Sequence, residues 1–117
     1  MHEFSLATSL VDLVRANCPE NEQLNSITIE AGPMRAIEPQ AMQWAWEAAT
    51  NGTDLQGVTM ELIQQPWTLF CPDCQKKFTA EDMFTNCECG CDQTGPVESD
   101  TLRLVRITVK DPIEQNT

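Results

Sequence analysis

Between residues 4 and 18, apolar side chains recur at spacings of three and four: Phe4, Ala7, Leu10, Val11, Val14 and Cys18. Asp12 and Arg15 fall off that stripe. The period is that of a helix with one buried face. Pro19 stops it near Asn17, because the residue before a proline is pushed out of the helical region. Cys18 lies on the stripe and is expected to be a buried core thiol. The period then changes. Ile27, Ile29 and Ala31 alternate with Thr28 and Glu30, which predicts a half-buried strand ended by Gly32-Pro33. Glu38-Pro39 opens a second helix with proline in its first turn. Its broad apolar face is Ala41, Met42, Trp44, Ala45, Ala48 and Ala49, and Asn51-Gly52 closes it. Trp44 is expected as a core packing residue and Trp46 as a half-exposed one.

Val58, Met60 and Leu62 alternate with Thr59 and Glu61 in a second strand, broken by Pro66. The strongest strand is residues 101–110, with Val105, Ile107 and Val109 on one face and Leu102 and Leu104 on the other. A strand this apolar does not stand alone and should return to join the earlier two. The expected fold is therefore α+β: two helices packed on a small three-stranded mixed sheet, formed by residues 1–66 plus 100–117. Residues 67–99 would be an inserted ribbon module, and residues 111–117 a frayed tail.

That module concentrates the chemistry. Five of the six cysteines fall between Cys71 and Cys91: Cys71 and Cys74 in a C-x2-C turn, then Cys87, Cys89 and Cys91. Two short cysteine turns about a dozen residues apart are the sequence form of a structural zinc site. Between Cys71 and Cys91 the main large apolar residues are Phe78, Met83 and Phe84. They bury too little to offset the ordering of the segment, whereas structural zinc contributes on the order of 10 kcal/mol of folding free energy. Cys71, Cys74 and Cys87 are expected ligands. The second turn is C-x-C-x-C, so the fourth is Cys89 or Cys91; Cys89 is favoured because Gly90 follows it and can take a positive φ under the metal. A disulfide framework is the competing reading. It is disfavoured because no secretory signal opens the chain and clustered thiols in the cytoplasm stay reduced.

Charge narrows the function classes. Eighteen acids against seven bases give a net charge of −11, which repels phosphate backbones and argues against nucleic acid as a partner. No stretch approaches a membrane span in length. His2 is the only histidine, so three-histidine and H-E-x-x-H zinc enzymes are excluded. A site filled by four thiolates leaves no position for a water, which ranks a zinc hydrolase last and makes the protein a non-enzyme by expectation. A zinc-ribbon adaptor that docks other proteins is the alternative binding function.

His2 brings a second chemistry. The terminal amine of Met1, the backbone nitrogens of residues 2 and 3, and the His2 imidazole are within chelating reach of one cation. A planar nitrogen set suits nickel(II) or copper(II). A solvated terminus that binds nothing is the plainer reading of His2 alone.

The body of the chain shifts that balance. The opening Met1-His2-Glu3-Phe4-Ser5-Leu6-Ala7, the stretch IEAGPMRAIEPQAM, the CPDC turn with its twelve-residue spacer, and the final LRLVRITV resemble the hydrogenase nickel-incorporation accessory proteins, the HypA/HybF family. The likeness covers nearly the whole length. It implies a cytoplasmic nickel metallochaperone that delivers nickel for maturation of [NiFe]-hydrogenase, with zinc as structural cofactor and nickel as transferable cargo. It implies a nickel-handling GTPase and the hydrogenase large subunit as partners. On this resemblance His2 is a nickel ligand, Met1 supplies the amine, Glu3 contributes its backbone nitrogen, and Glu38 is an acid near the nickel. Cys71, Cys74, Cys87 and Cys89 map onto the zinc ligands. The family usually has C-x2-C in its second turn, so the extra cysteine here is a spare thiol, free to swap ligands, oxidise or enter a homodimer contact.

Overall fold

The computed structural model describes residues 2–19, 22–97 and 101–110. Its elements in chain order are α1 (His2–Asn17), β1 (Leu24–Ala31), a 3-10 turn (Pro33–Arg35), α2 (Pro39–Thr50), β2 (Thr59–Gln64), β3 (Trp67–Phe70), β4 (Lys77–Ala80), β5 (Gly95–Pro96) and β6 (Leu102–Val109). The chain divides into two compact units. One comprises Met1–Glu30, Ile37–Ile63 and Arg103–Thr117; the other comprises Ala31–Ala36 and Gln64–Leu102.

The first unit holds the two helices, which pack on each other, and a three-stranded sheet in the order β2-β1-β6. Side chains set the directions. Thr28 reaches Glu61, and the Ala31 carbonyl accepts from Gln65 N–H, so β1 and β2 run parallel. Ser26 meets Thr108, and Glu30 meets Arg103, so β1 and β6 run antiparallel. The sheet is mixed, as the strand pattern predicts.

β1 is the central strand, and this alters its expected character. Ile27, Thr28 and Ile29 are all buried, so consecutive residues are covered on opposite faces. Thr28 is tolerated there because its hydroxyl donates to the Glu61 carboxylate at 3.4 Å.

The helices bury narrower stripes than their sequences suggest. In α1 the buried residues are Leu6, Ala7, Leu10 and Val14, while Phe4 is exposed and Cys18 only half-buried. In α2 they are Met42, Ala45, Trp46 and Thr50. Trp44, expected in the core, is 64% exposed, whereas Trp46, expected half-exposed, is 2% exposed and is the core tryptophan. Its indole N–H donates to the Val58 carbonyl at 2.8 Å, and Gln43 donates to the Met60 carbonyl at 2.7 Å. These two bonds tie α2 to β2 and its entry. Glu38 accepts the Ala41 N–H and caps the start of α2. Arg15 and Asp54 form an exposed ion pair at 2.8 Å, the kind that contributes little to stability.

In the second unit β3 pairs antiparallel with β4, Leu69 opposite Phe78 and Phe70 opposite Lys77. It also pairs with β5, Leu69 opposite Pro96 and Phe70 opposite Gly95. Trp67–Phe70, Lys77–Ala80 and Gly95–Pro96 are thus strands of one small sheet around the cysteines. Leu69 is fully buried at its centre. Residues 111–117, the expected frayed tail, lie outside the described residues. Among the described residues no helix is long and apolar enough to cross a membrane.

Candidate metal centres

Two turns of the second unit bring four sulfurs together. In the first, the Cys71 carbonyl accepts Gln75 N–H at 2.7 Å, and Cys71 N–H donates to the Lys76 carbonyl at 2.9 Å. Gln75 takes φ 60, the left-handed region a glycine would fill without strain. In the second, the Cys87 carbonyl accepts Gly90 N–H at 2.9 Å, with Gly90 at φ 94. Each left-handed residue directly follows a cysteine, Cys74 or Cys89. The chain doubles back at each turn, leaving two sulfurs pointing the same way.

The Sγ atoms of Cys71, Cys74, Cys87 and Cys89 all lie within 4.8 Å of one another. Cys71 to Cys89 is 3.6 Å, and Cys74 to Cys87 is 3.6 Å. Four thiolates on a tetrahedral zinc, with Zn–S about 2.3 Å, stand about 3.8 Å apart. The observed spacing therefore fits zinc.

The proton affinities of these thiols point the same way. The Cys74 N–H, aimed at the Cys71 sulfur, and the neighbouring thiols bring the Cys71 thiol down to about 6 against the opposing effect of burial. The adjacent Cys71 sulfur in turn pushes Cys74 up. At Cys89 the Cys91 N–H favours the thiolate, but the Cys71 and Cys87 sulfurs and burial override it and push the thiol up to about 12. One sulfur gives up its proton readily, and its charge makes the next loss costly. A divalent cation removes that cost by binding all four as thiolates.

Cys91 is buried but stands outside this set. Its sulfur accepts Gln93 N–H at 3.3 Å, and its backbone carbonyl accepts Cys87 N–H at 3.1 Å. It supports the second turn from behind.

The first unit carries the other candidate residues. His2 begins α1 and is exposed; Glu3 follows it in the first turn. The Glu3 carboxylate accepts the Glu38 backbone N–H at 3.1 Å, which holds its proton affinity below the ordinary glutamate value. Glu3 and Glu38 are thereby brought together. Met1 lies outside the described residues. The contact between Glu3 and Glu38 carries no sequence signal, since thirty-five positions separate the two.

Fold and sulfur geometry define a small metal-handling protein, a helical α+β unit joined to a four-thiol ribbon. Comparison with known proteins places it more closely. The model of the HypA family, described as hydrogenase/urease nickel incorporation metallochaperone, matches residues 1–109, and the chain belongs to that family. It is 29% identical over 112 residues to the hydrogenase maturation factor HypA of Aeromonas salmonicida, covering 93% of this chain and 99% of the relative. It is 26% identical over 113 residues to the factor of the same name from Azotobacter chroococcum, covering 94% and 100%. Its fold is similar to the solution structure of the Ni metallochaperone HypA from Helicobacter pylori. That likeness has a TM-score of 0.63 at 19% identity and covers 93% of this chain and 97% of the other.

Proposed function

We propose that the chain is a nickel metallochaperone for [NiFe]-hydrogenase maturation, holding two cations by different donors. Nickel(II) is cargo at the start of α1, bound by the Met1 amine, the His2 imidazole and the backbone nitrogens of His2 and Glu3. Zinc is structural, held by Cys71, Cys74, Cys87 and Cys89, with Cys91 outside the ligand set. Family membership over residues 1–109 is the observation that carries the reading. It is supported by the exposed position of His2 and by the placement of the four-sulfur cluster in the other compact unit.

Physical chemistry separates the two tasks. Thiolates in a closed tetrahedron hold zinc too tightly for transfer. A nitrogen chelate at a chain end is open to a receiving site and suits the planar geometry of nickel(II). Amide nitrogens that would release their protons to solvent on taking up nickel become anionic, and the positive end of the α1 dipole favours negative charge there. The receiving proteins would be a nickel-handling GTPase and the hydrogenase large subunit, in the cytoplasm. The relatives' name, hydrogenase maturation factor, supports a hydrogenase as the final recipient.

The test is maturation in cells lacking the protein, grown at limiting nickel. The wild-type chain is expected to restore hydrogenase activity and His2→Ala is not, although both fold and carry zinc. Full restoration by His2→Ala would overturn the delivery role of the terminus.

A further inference from the structure

Glu38 joins the starts of both helices. Its backbone N–H donates to Oε2 of Glu3 at 3.1 Å. Its own carboxylate accepts the Ala41 N–H and caps α2. Each glutamate thus spends a carboxylate oxygen on an N–H group: Glu3 on the entry to α2, Glu38 on its first turn. We infer that Glu38 is a positioning residue for the terminal nickel site rather than a ligand in it. Its backbone N–H holds Glu3, and its carboxylate holds the helix end that carries that N–H. The inference rests on the nickel reading proposed above.

The reasoning follows the atoms. The Glu3 backbone nitrogen is one of the proposed ligand atoms. A chelate built on consecutive nitrogens needs residues 1 to 3 in one conformation. Fixing backbone conformation on binding costs affinity. Anchoring residue 3 beforehand through its side chain lowers that cost. The anchor is only as firm as the N–H that provides it. Glu38 sits at φ −86 and ψ 120, an ordinary extended conformation open to any residue. That N–H is kept in place by the cap on Ala41. Losing the cap frays the first turn of α2 and releases Glu3.

The two possible roles of Glu38 separate on substitution. Serine keeps both the backbone N–H and a capping oxygen, but removes the carboxylate that a ligand would need. Alanine keeps the N–H and removes the cap. Glu3→Ala removes the acceptor but keeps the backbone nitrogen. The experiment is nickel(II) titration calorimetry on tag-free, zinc-loaded protein, paired with the backbone amide shift of residue 38 by NMR. Glu38→Ser is expected to bind nickel within about twofold of wild type. Glu38→Ala and Glu3→Ala are expected to bind about three- to tenfold more weakly, the range one net hydrogen bond gives. The residue 38 amide should move upfield in Glu3→Ala as its hydrogen bond is lost, and stay near its wild-type position in Glu38→Ser. Rescue by serine is the signature of positioning. Loss of nickel in Glu38→Ser equal to that in Glu38→Ala would make the carboxylate a ligand and overturn the inference. Wild-type affinity in Glu38→Ala and Glu3→Ala would also overturn it. An amide of Glu38 that does not move in Glu3→Ala would disprove the hydrogen bond and leave the nickel reading intact. Absence of nickel uptake by the wild-type chain would instead overturn the nickel reading, and with it the role of Glu38.

Discussion

Removing the metal from the cysteine unit should unfold that unit and leave the helices standing. Between residues 64 and 97, Leu69 is the one large aliphatic side chain that is fully buried, beside the buried sulfurs of Cys71 and Cys91. Burying one leucine contributes about 1.5–3 kcal/mol. Zinc in a four-ligand structural site contributes about 10–16 kcal/mol near neutral pH. The metal term is several times larger. The β3–β4 and β3–β5 pairings add backbone hydrogen bonds, but β5 is only two residues long, and isolated short strands are marginal in water. The first unit differs, because Leu6, Leu10 and Val14 of α1, Met42 and Trp46 of α2, and Ile27 and Ile29 of β1 are buried and make an apolar core of their own. The assay is amide hydrogen exchange read by NMR, before and after zinc is stripped with a strong chelator under reducing conditions. Protection of Leu69, Phe70 and Phe78 should vanish, while amides within α1 and α2 stay protected. Zinc returned in one equivalent should restore the lost protection. Retained protection at Leu69 and Phe78 with zinc absent would refute the reasoning.

Other outcomes follow from single contacts. Cys89→Ser should lower zinc content and chelator resistance, whereas Cys91→Ser should keep stoichiometric zinc; elemental analysis of both variants decides, and the reverse pattern would move the fourth ligand to Cys91. Trp46→Phe removes a buried indole N–H bonded to the Val58 carbonyl at 2.8 Å. It should cost about 1–3 kcal/mol and lower the thermal midpoint of the first unit by roughly 5–15 °C, while Trp44→Phe on the exposed face changes little. Glu3 should titrate below an ordinary glutamate in a pH series by carboxyl NMR, because the Glu38 N–H stabilises its charged form. A depressed folded value means that its stabilising contact is present above the unfolded-state pKa and lost as pH falls through the folded one. In Glu3→Ala that acid-side loss of stability should be smaller.

Much of this molecule is legible in its sequence, and the misses have physical causes. Period alone finds both helices and the three strands of the first unit, because each element buries one face and repeats at its own spacing. The cysteine spacing locates the four-sulfur cluster, and the glycine after Cys89 favours the sulfur that the structure brings into it. Sequence points to the wrong tryptophan: Trp44 falls on the apolar stripe of α2 yet faces solvent, and Trp46 is buried. Trp44 and Trp46 lie two positions apart on one helix, so they point in nearly opposite directions, and both have apolar neighbours. The choice falls to Trp46, whose N–H finds the Val58 carbonyl on the next strand. Thr28 reads as a solvent-facing position, yet it is buried because β1 is central and Glu61 accepts its hydroxyl. Gln75 gives no hint of its left-handed conformation, which the Cys71–Gln75 hydrogen bond imposes. β5 escapes because two residues, glycine and proline, carry no strand propensity and depend on β3 for pairing.

The most direct measurement is metal content and nickel(II) titration of tag-free protein beginning at Met1, read by elemental analysis and electronic absorption. Wild-type chain should carry one zinc, take up one nickel(II), and give the absorption of a planar, diamagnetic nickel–nitrogen centre. His2→Ala should keep the zinc and lose that spectrum. Undiminished nickel uptake in His2→Ala, or nickel that enters only by expelling zinc from the cysteines, would contradict the assignment of the two cations to separate donors.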